Sequence, residues 1–497
     1  MSLSIIYTRA RRGIDAPLIT VEVHLSNGLP GLSIVGMPET VVKESKDRVR
    51  SALINSQFEF PARRITINLA PADLPKNGSR FDLPIAIGIL AASNQVPTDQ
   101  LDQYEFIGEL ALSGELRDVE AILPVAIACH KSQRQLLTSM NNANEAARYE
   151  QCENYGAQSL LDICLHLHGT QSLKKAIAPP IVEKDYPLDF SDVKGQPFAK
   201  RALEITAAGG HNLLMYGSPG TGKTMLASRL PGILPPLNAS QSIEVASIHS
   251  LCGHTYTAWT TPPFRHPHHS SSAVSLVGGG SVPKPGEISL AHNGILFLDE
   301  IPEFPRHVLE VLREPMESGE INISRASAQV CFPADFTLIA ALNPCPCGYF
   351  GSTSQKHHCR CSPDQVRRYR QKISGPLLDR IDLHVPVAHT TISELQKLPT
   401  GESSDTIKQR VISAREKQTV RQGINNAQLT KAQLNAHCKL TKSDREFLDN
   451  AVDKLGLSAR AYDRILKVAR TIADLSSMEN IHGQHISEAI SFRNFDR

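Results

Sequence analysis

Short apolar runs and amphipathic stretches follow one another along most of this chain, and their periods predict its elements. Ile19-Thr-Val-Glu-Val-His-Leu25 and Arg64-Ile-Thr-Ile-Asn-Leu69 alternate with period two, which predicts strands with one buried face. Glu39 to Leu53, Leu83 to Ala92 and Ser159 to Leu167 carry the apolar spacing of helices. Three further runs are apolar without alternation: Asn212-Leu-Leu-Met-Tyr216, Ile295-Leu-Phe-Leu298 and Phe336-Thr-Leu-Ile-Ala-Ala-Leu342. Too short for helices, they read as central strands of a parallel sheet covered on both faces. Beyond Pro386 the pattern turns helical. Thr441 is placed to cap a helix bearing Phe447, Leu448, Val452 and Leu455, with Gly456 ending it. Ser458 is placed to cap the next, with Tyr462, Ile465, Leu466, Ala469 and Ile472 on one face.

A chain of 497 residues exceeds one core and suggests about three domains. Residues 1–175 mix strands and helices, and 176–187 form a proline-stiffened linker around Ala178-Pro-Pro. Residues 188–390 hold the non-alternating strands, and 391–497 form a helical domain. The formal charge of +2 offers no global attraction to nucleic acid, so any such surface must be local. No apolar run approaches the ~20 residues of a membrane span, and the N-terminus lacks the basic-then-apolar order of a signal peptide. Ten mostly scattered cysteines do not indicate a disulfide framework, so a reducing cytoplasm is expected.

The apolar run Asn212–Tyr216 leads into Gly217-Ser218-Pro219-Gly220-Thr221-Gly222-Lys223-Thr224, a G-x-x-x-x-G-K-[ST] loop opening a helix. Strand, glycine loop and helix N-terminus suit a nucleoside triphosphate, because the glycines let backbone N–H groups turn toward the phosphates. Lys223 would neutralise β/γ-phosphate charge and Thr224 would ligate Mg²⁺. The second apolar run delivers Asp299 and Glu300, the first placed to hold Mg²⁺ and the second to polarise the attacking water. The third ends at Asn343, which could orient the same water. ATP and Mg²⁺ are the expected ligands, and hydrolysis rather than binding alone is the expected chemistry.

Two arginines extend the pattern. Gly375-Pro-Leu-Leu-Asp-Arg380-Ile-Asp puts one before a strand, and Leu457-Ser-Ala-Arg460 puts another at a helix start, where it could reach a γ-phosphate. The order of phosphate loop, Asp-Glu, Asn, Arg and helical Ser-Ala-Arg resembles the AAA+ superfamily, whose subunits form rings. That resemblance implies a homohexamer in which Arg380 acts on the neighbouring subunit's ATP. Pro262-Pro-Phe-Arg-His-Pro-His-His269, Leu276-Val-Gly-Gly-Gly280 and Lys284-Pro-Gly-Glu-Ile-Ser-Leu290 narrow it to the magnesium-chelatase-like branch. That branch implies an insert in the second helix, within roughly Pro262 to Pro285, and a β-hairpin through Glu320–Phe332. Lys284 in the insert and Arg325 at the hairpin tip are then the candidate DNA contacts, or else solvated loop charges.

Pro71-Ala-Asp-Leu-Pro-Lys76-Asn-Gly-Ser-Arg80 and Ile107-Gly-Glu-Leu-Ala-Leu-Ser-Gly-Glu-Leu-Arg117 resemble the Lon-type protease domain, an S5 domain 2-like α+β fold. Aligned to that family, Arg80 stands where the serine nucleophile belongs and Leu123 near the lysine, so the domain is expected not to cleave peptides. The complete arrangement is an N-terminal Lon-like domain, an α/β P-loop AAA+ core with a parallel sheet, and a C-terminal helical lid. It resembles the ComM/YifB family over nearly the whole chain. The resemblance implies a bacterial ATP-driven motor on single-stranded, forked or four-way DNA, promoting branch migration during natural transformation. Recombination proteins would be partners, and no membrane would be involved. Rival readings are a chelatase-like metal-insertion motor and an ATP-regulated recombination scaffold.

Cys345-Pro-Cys347 and Cys359-Arg-Cys361 place four thiols on two tight turns, a set that can close a tetrahedral Zn²⁺ site. His357 or His358 could replace one of them, and a reduced cysteine-rich loop is the alternative. Arg367-Arg-Tyr-Arg370 beyond it is a basic stretch, serving either a subunit interface or DNA.

Overall fold

The computed structural model describes every residue except 1–2, 37–39, 182–185, 255, 281–282, 326–327, 352–357, 391 and 494–497. It divides into two compact units. One comprises Met1–Val182, Ala239–Trp259 and Ala326–Cys331; the other comprises Glu183–Asn238, Thr260–Arg325 and Phe332–Arg497.

The first unit is built on a seven-stranded mixed sheet, in the order Gly31–Val35, Arg64–Ala70, Leu18–Ser26, Leu3–Arg9, Tyr104–Phe106, Gln135–Ser139, Asn154–Ala157. Leu3–Arg9, Leu18–Ser26 and Arg64–Ala70 pair antiparallel, whereas Tyr104–Phe106, Gln135–Ser139 and Asn154–Ala157 run parallel. Alternation puts Ile19, Val21, Val23, Ile65, Ile67 and Leu69 on the buried face. The helix Asp82–Ala92 is buried along its whole length, which accounts for its apolar character on every side. Ala239–Ser250, although it comes after the phosphate loop in sequence, belongs to this unit. Leu123, Ala246 and Trp259 form a small cluster, the Arg148 guanidinium lies 4.6 Å from the Trp259 ring centre, and Arg11 donates to the Leu251 carbonyl at 2.7 Å.

The second unit contains a five-stranded parallel sheet in the order Phe264–Arg265, Ile295–Leu298, Thr337–Leu342, Leu213–Tyr216, Leu383–Pro386. Leu213, Met215, Ile295, Phe297, Ile339, Ala341, Leu383 and Val385 are buried in one apolar cluster, and Leu214, Leu296, Leu338 and Ala340 between them are buried too, as non-alternating strands require. The helices Ser404–Gln422, Lys442–Leu455, Ala459–Leu475 and Gly483–Ser491 add to the same cluster, so the helical C-terminal region shares the core of the sheet. Thr441 and Ser458 accept hydrogen bonds from the backbone N–H groups of Asp444 and Ala461, both at 3.2 Å, and Gly456 closes its helix with φ 63°. Asp382, fully buried, accepts from the Asn212 N–H at 3.0 Å and from Arg464, tying the sheet to the helix Ala459–Leu475.

One element departs from expectation. Phe264–Arg265 lies inside the segment expected to form the insert, yet it pairs with Ile295–Leu296 as the sheet's edge strand. The rest of that segment holds a short helix, Ala273–Val277, and a two-stranded pair, Gly278–Gly279 with Lys284–Pro285. Glu320–Arg325 and Ala328–Pro333 form the expected two-stranded hairpin, whose residues 326–327 lie outside the described residues.

Candidate functional site

The strand Leu213–Tyr216 ends at the glycine loop, and the helix Lys223–Arg229 begins directly after it. The loop's glycines serve different ends. A Cβ on Gly217 would lie 2.4 Å from the Val387 carbonyl oxygen, so that position needs space. Gly220 and Gly222 have open surroundings but φ of 76° and 91°, so they need left-handed backbone. Thr221 donates to the Ser218 carbonyl at 2.9 Å and stiffens the turn. The Lys223 ammonium donates to the carbonyls of Gly217 at 2.7 Å and Ser218 at 3.0 Å, and to Asn343 Oδ1 at 3.2 Å. Burial pushes the Lys223 pKa down, while Asp299 and Glu300 oppose that shift.

Thr224 Oγ1 donates to Asp299 Oδ2 at 2.6 Å. A hydroxyl beside a carboxylate is an oxygen donor set suited to Mg²⁺. Glu300 adopts a left-handed backbone, φ 51°, and its N–H donates to Asp299 Oδ1 at 2.9 Å. That conformation costs a non-glycine residue about 1 kcal/mol. It ends the strand abruptly and leads into the turn Ile301–Glu303. Beside the loop a cavity of about 320 Å³ is lined by Val193, Gln196, Thr221, Met225, Leu226 and Thr390, whose apolar members suit a flat base. Two hydrogen-bonded pairs, Lys223 with Asn343 and Thr224 with Asp299, are thus set on adjacent loop residues, with Glu300 adjoining the second through Asp299.

Three neighbours went unassigned in the sequence. His269 Nδ1 lies 3.6 Å from Glu300 Oε2, and its ring lies against that of His268 with centroids 4.1 Å apart. His266 packs 4.7 Å from the Phe297 ring, and burial lowers its pKa. The segment Pro262–His269 had marked only a branch of the superfamily; the structure puts its histidines beside the acidic end of the strand. The third is Glu317, the partner of Arg380.

Arg380 pairs with Glu317 at 2.5 Å and donates to the Pro376 carbonyl at 2.7 Å, leaving only 7 % of the residue exposed. Glu317 also lines a second cavity, about 240 Å³, together with Lys431, Arg460, Asp463, Arg464 and Lys467. Glu317 is thus a shared neighbour: it pairs with Arg380 and lines the cavity that Arg460 also lines.

Cys345, Cys347, Cys359 and Cys361 converge, with all four Sγ atoms within 4.8 Å of one another. The Tyr349 N–H helps draw the Cys347 thiol pKa down to about 6. His357 lies outside the described residues. Arg370 of the basic helix is occupied within the chain, donating to the Pro344 carbonyl at 3.4 Å and lying over the Phe350 ring. Lys284 is exposed on its short strand, and the side chain of Arg325 lies outside the described residues. In the first unit Arg80 is buried, donating to the Glu120 carbonyl at 2.7 Å, and burial lowers its pKa to about 10. Leu123 is buried as well; Ser79 bonds to Glu109 and Lys76 to the Pro71 carbonyl.

The parallel sheet, glycine loop and Asp-Glu pair define the class: the second unit is a magnesium-chelatase-like AAA+ domain. A family model described as magnesium chelatase, subunit ChlI, matches residues 189–395, and one for the subunit's C-terminal part matches 401–493. A third, described as subunit ChlI of Mg-chelatase, matches residues 21–142, so the N-terminal region alone does not set the chain apart from that group. Competence protein ComM of Haemophilus influenzae is 53 % identical over 99 % of this chain and 98 % of its own length. The uncharacterized protein YifB of Escherichia coli is 51 % identical over 100 % and 98 %. The magnesium-chelatase 38 kDa subunit of Cereibacter sphaeroides is 26 % identical over 32 % of this chain and 53 % of its own length. The chain belongs to the ComM/YifB family. No helix of the described residues is long and apolar enough to cross a membrane.

Proposed function

We infer that this chain is a cytoplasmic, ATP-driven DNA motor that works as a homohexameric ring and migrates branched DNA during recombination in natural transformation. The observation that carries the ring reading is that Arg380 is tied to Glu317 and the Pro376 carbonyl, beside the cavity that Arg460 lines, rather than bonded into the phosphate-loop residues. Hydrolysis then needs Arg380 and Arg460 from a neighbouring copy, because an arginine fork stabilises charge on the transferred phosphoryl group. Within the chain, Lys223 and the loop N–H groups bind the phosphates, and Thr224 and Asp299 hold Mg²⁺, which supplies charge neutralisation when bound. Glu300 takes a proton from the attacking water and Asn343 orients it. The name of the competence relative supports a DNA role, and buried Arg80 and Leu123 support a first unit without peptidase chemistry.

The chelatase family models favour a second reading, a metal-insertion motor with separate partners. The deciding measurement is the ATPase rate with and without forked or four-way DNA. Strong stimulation together with conversion of a four-way junction supports the motor. Hydrolysis without conversion leaves an ATP-regulated scaffold, and hydrolysis indifferent to DNA favours the chelatase reading.

A further inference from the structure

The four cysteines form the one group of metal-ligating side chains gathered closely enough to share an ion among the described residues. Their Sγ separations are 3.3 Å for Cys345–Cys347, 3.6 Å for Cys347–Cys359 and 3.7 Å for Cys345–Cys359. A disulfide would need about 2.05 Å. A tetrahedron around Zn²⁺ with Zn–S of about 2.3 Å has edges of about 3.8 Å, close to the spacing found. Three thiols at these distances, with Cys361 Sγ within 4.8 Å of them, make a donor set that one ion can share.

The cluster is fastened to the nucleotide site at two points. Gly348, the residue after Cys347, has φ 81°, and a Cβ built on it would lie 2.6 Å from the Pro219 side chain of the phosphate loop. Its N–H donates to the Cys345 carbonyl at 2.9 Å, so the turn between the first two cysteines is what presents Gly348 to Pro219. On the other side, Asn343 stands two residues before Cys345 and accepts from Lys223 at 3.2 Å. The remaining cysteines lead into Ser362, whose side chain caps the helix Pro363–Arg370, and Arg370 returns to the Pro344 carbonyl. The Phe350 N–H donates to Cys345 Sγ at 3.3 Å.

We propose that Cys345, Cys347, Cys359 and Cys361 bind one Zn²⁺ per chain, and that this metal positions the ATP site by holding Gly348 against Pro219 and Asn343 against Lys223. The proposal rests on the ATPase reading above. Zinc does not touch the reacting atoms; it acts on them through the loop and the asparagine. Displacements of about 1 Å at such a site cost on the order of 10²-fold in rate, which sets the expected effect of losing the metal.

The test uses the full-length chain purified under reducing conditions, with zinc content, fluorescent-nucleotide affinity and phosphate release measured together. The expected result is one zinc per chain. Its removal by a thiol-directed mercurial, then excess dithiol, should weaken nucleotide binding and lower turnover on the order of 10²-fold. Stoichiometric zinc should restore both. Cys361→His should keep zinc and turnover, whereas Cys361→Ser should lose both. Gly348→Asn puts a Cβ against Pro219 with a residue that tolerates left-handed backbone, so the ligand turn is kept: zinc should remain at one per chain while nucleotide binding weakens. A wild-type chain purified free of zinc that hydrolyses ATP at a rate zinc does not raise would overturn the proposal. So would unchanged nucleotide affinity and turnover after complete removal, or a Gly348→Asn chain that binds and hydrolyses normally. A wild-type chain that never hydrolyses ATP would reject the ATPase reading instead, and nucleotide affinity with and without zinc would still decide the coupling.

Discussion

Replacing Arg380 with Ala tests whether the ring is needed for chemistry. In the isolated chain the guanidinium is held by Glu317, whose side chain is 58 % exposed, and by the Pro376 carbonyl, while its Nε is buried without a partner. An ion pair with one exposed member contributes about 0–1 kcal/mol and a hydrogen bond from a charged donor about 1.5–3 kcal/mol. Turning the fork out toward a neighbour therefore costs about 2–4 kcal/mol. An arginine acting on a transferred phosphoryl group contributes on the order of 10³-fold or more, about 4 kcal/mol. The gain matches or exceeds the cost, so the resting pair with Glu317 does not prevent action in trans. Arg380→Ala chains should assemble, bind nucleotide and lose turnover on the order of 10³-fold. Mixing them with Lys223→Ala chains should recover part of the rate, because some interfaces then join an intact loop to an intact arginine. Phosphate release from the mixture, with assembly checked by light scattering, is the assay. Intact mixed rings with no recovery would refute the argument.

Three further expectations are sharp enough to measure. Lys223→Ala should abolish nucleotide binding, whereas Glu300→Gln should bind normally and stop releasing phosphate; normal hydrolysis by Glu300→Gln would reject it as the base. Burial alone would raise the Asp382 pKa, but Arg464 and His211 outweigh it and hold the carboxyl far below the usual range. A depressed folded pKa adds stability above the unfolded value of about 3.9 and loses it as pH falls, so thermal stability should drop below about pH 4. Asp382→Asn, which leaves the half-buried Arg464 against a neutral partner, should cost about 1–3 kcal/mol at neutral pH and flatten that acid limb. If Lys284 and Arg325 meet DNA phosphates, Lys284→Ala and Arg325→Ala should each reduce the salt slope of binding by about one while basal ATPase survives; unchanged slopes would remove them from the interface.

The residues made legible whatever the chain encodes locally. The phosphate loop is eight consecutive residues, and Thr441, Gly456 and Ser458 mark helix ends with their own chemistry, so these positions can be read without a fold. The non-alternating strands announce a parallel sheet because burial on both faces leaves no polar period. The pairing of Arg380 with Glu317 depends on how the sheet and hairpin pack, and neither residue carries a local signal of it. Phe264–Arg265 is too short for periodicity to register, so its role as an edge strand was hidden inside an expected insert. Ala239–Ser250 follows the phosphate loop in sequence and carries no local sign of its unit; only the cluster of Leu123, Ala246 and Trp259 reveals where it is buried. The contact of Gly348 with Pro219 was equally invisible, since a glycine after a cysteine turn reads as punctuation.

The first unit is assembled from three stretches of chain, Met1–Val182, Ala239–Trp259 and Ala326–Cys331, so the polypeptide passes between the units five times. Such a unit is not a bead on a string. Cutting the backbone once near residue 182 would leave the halves joined by four covalent passages, and deleting residues 1–182 would strip the buried face from Ala246 and Trp259. Gene fusion or fission at that boundary could not trade the N-terminal part for another module without rewriting the ATPase stretch as well. The family's two halves are therefore expected to have changed together, as one inheritance, rather than by exchange of parts.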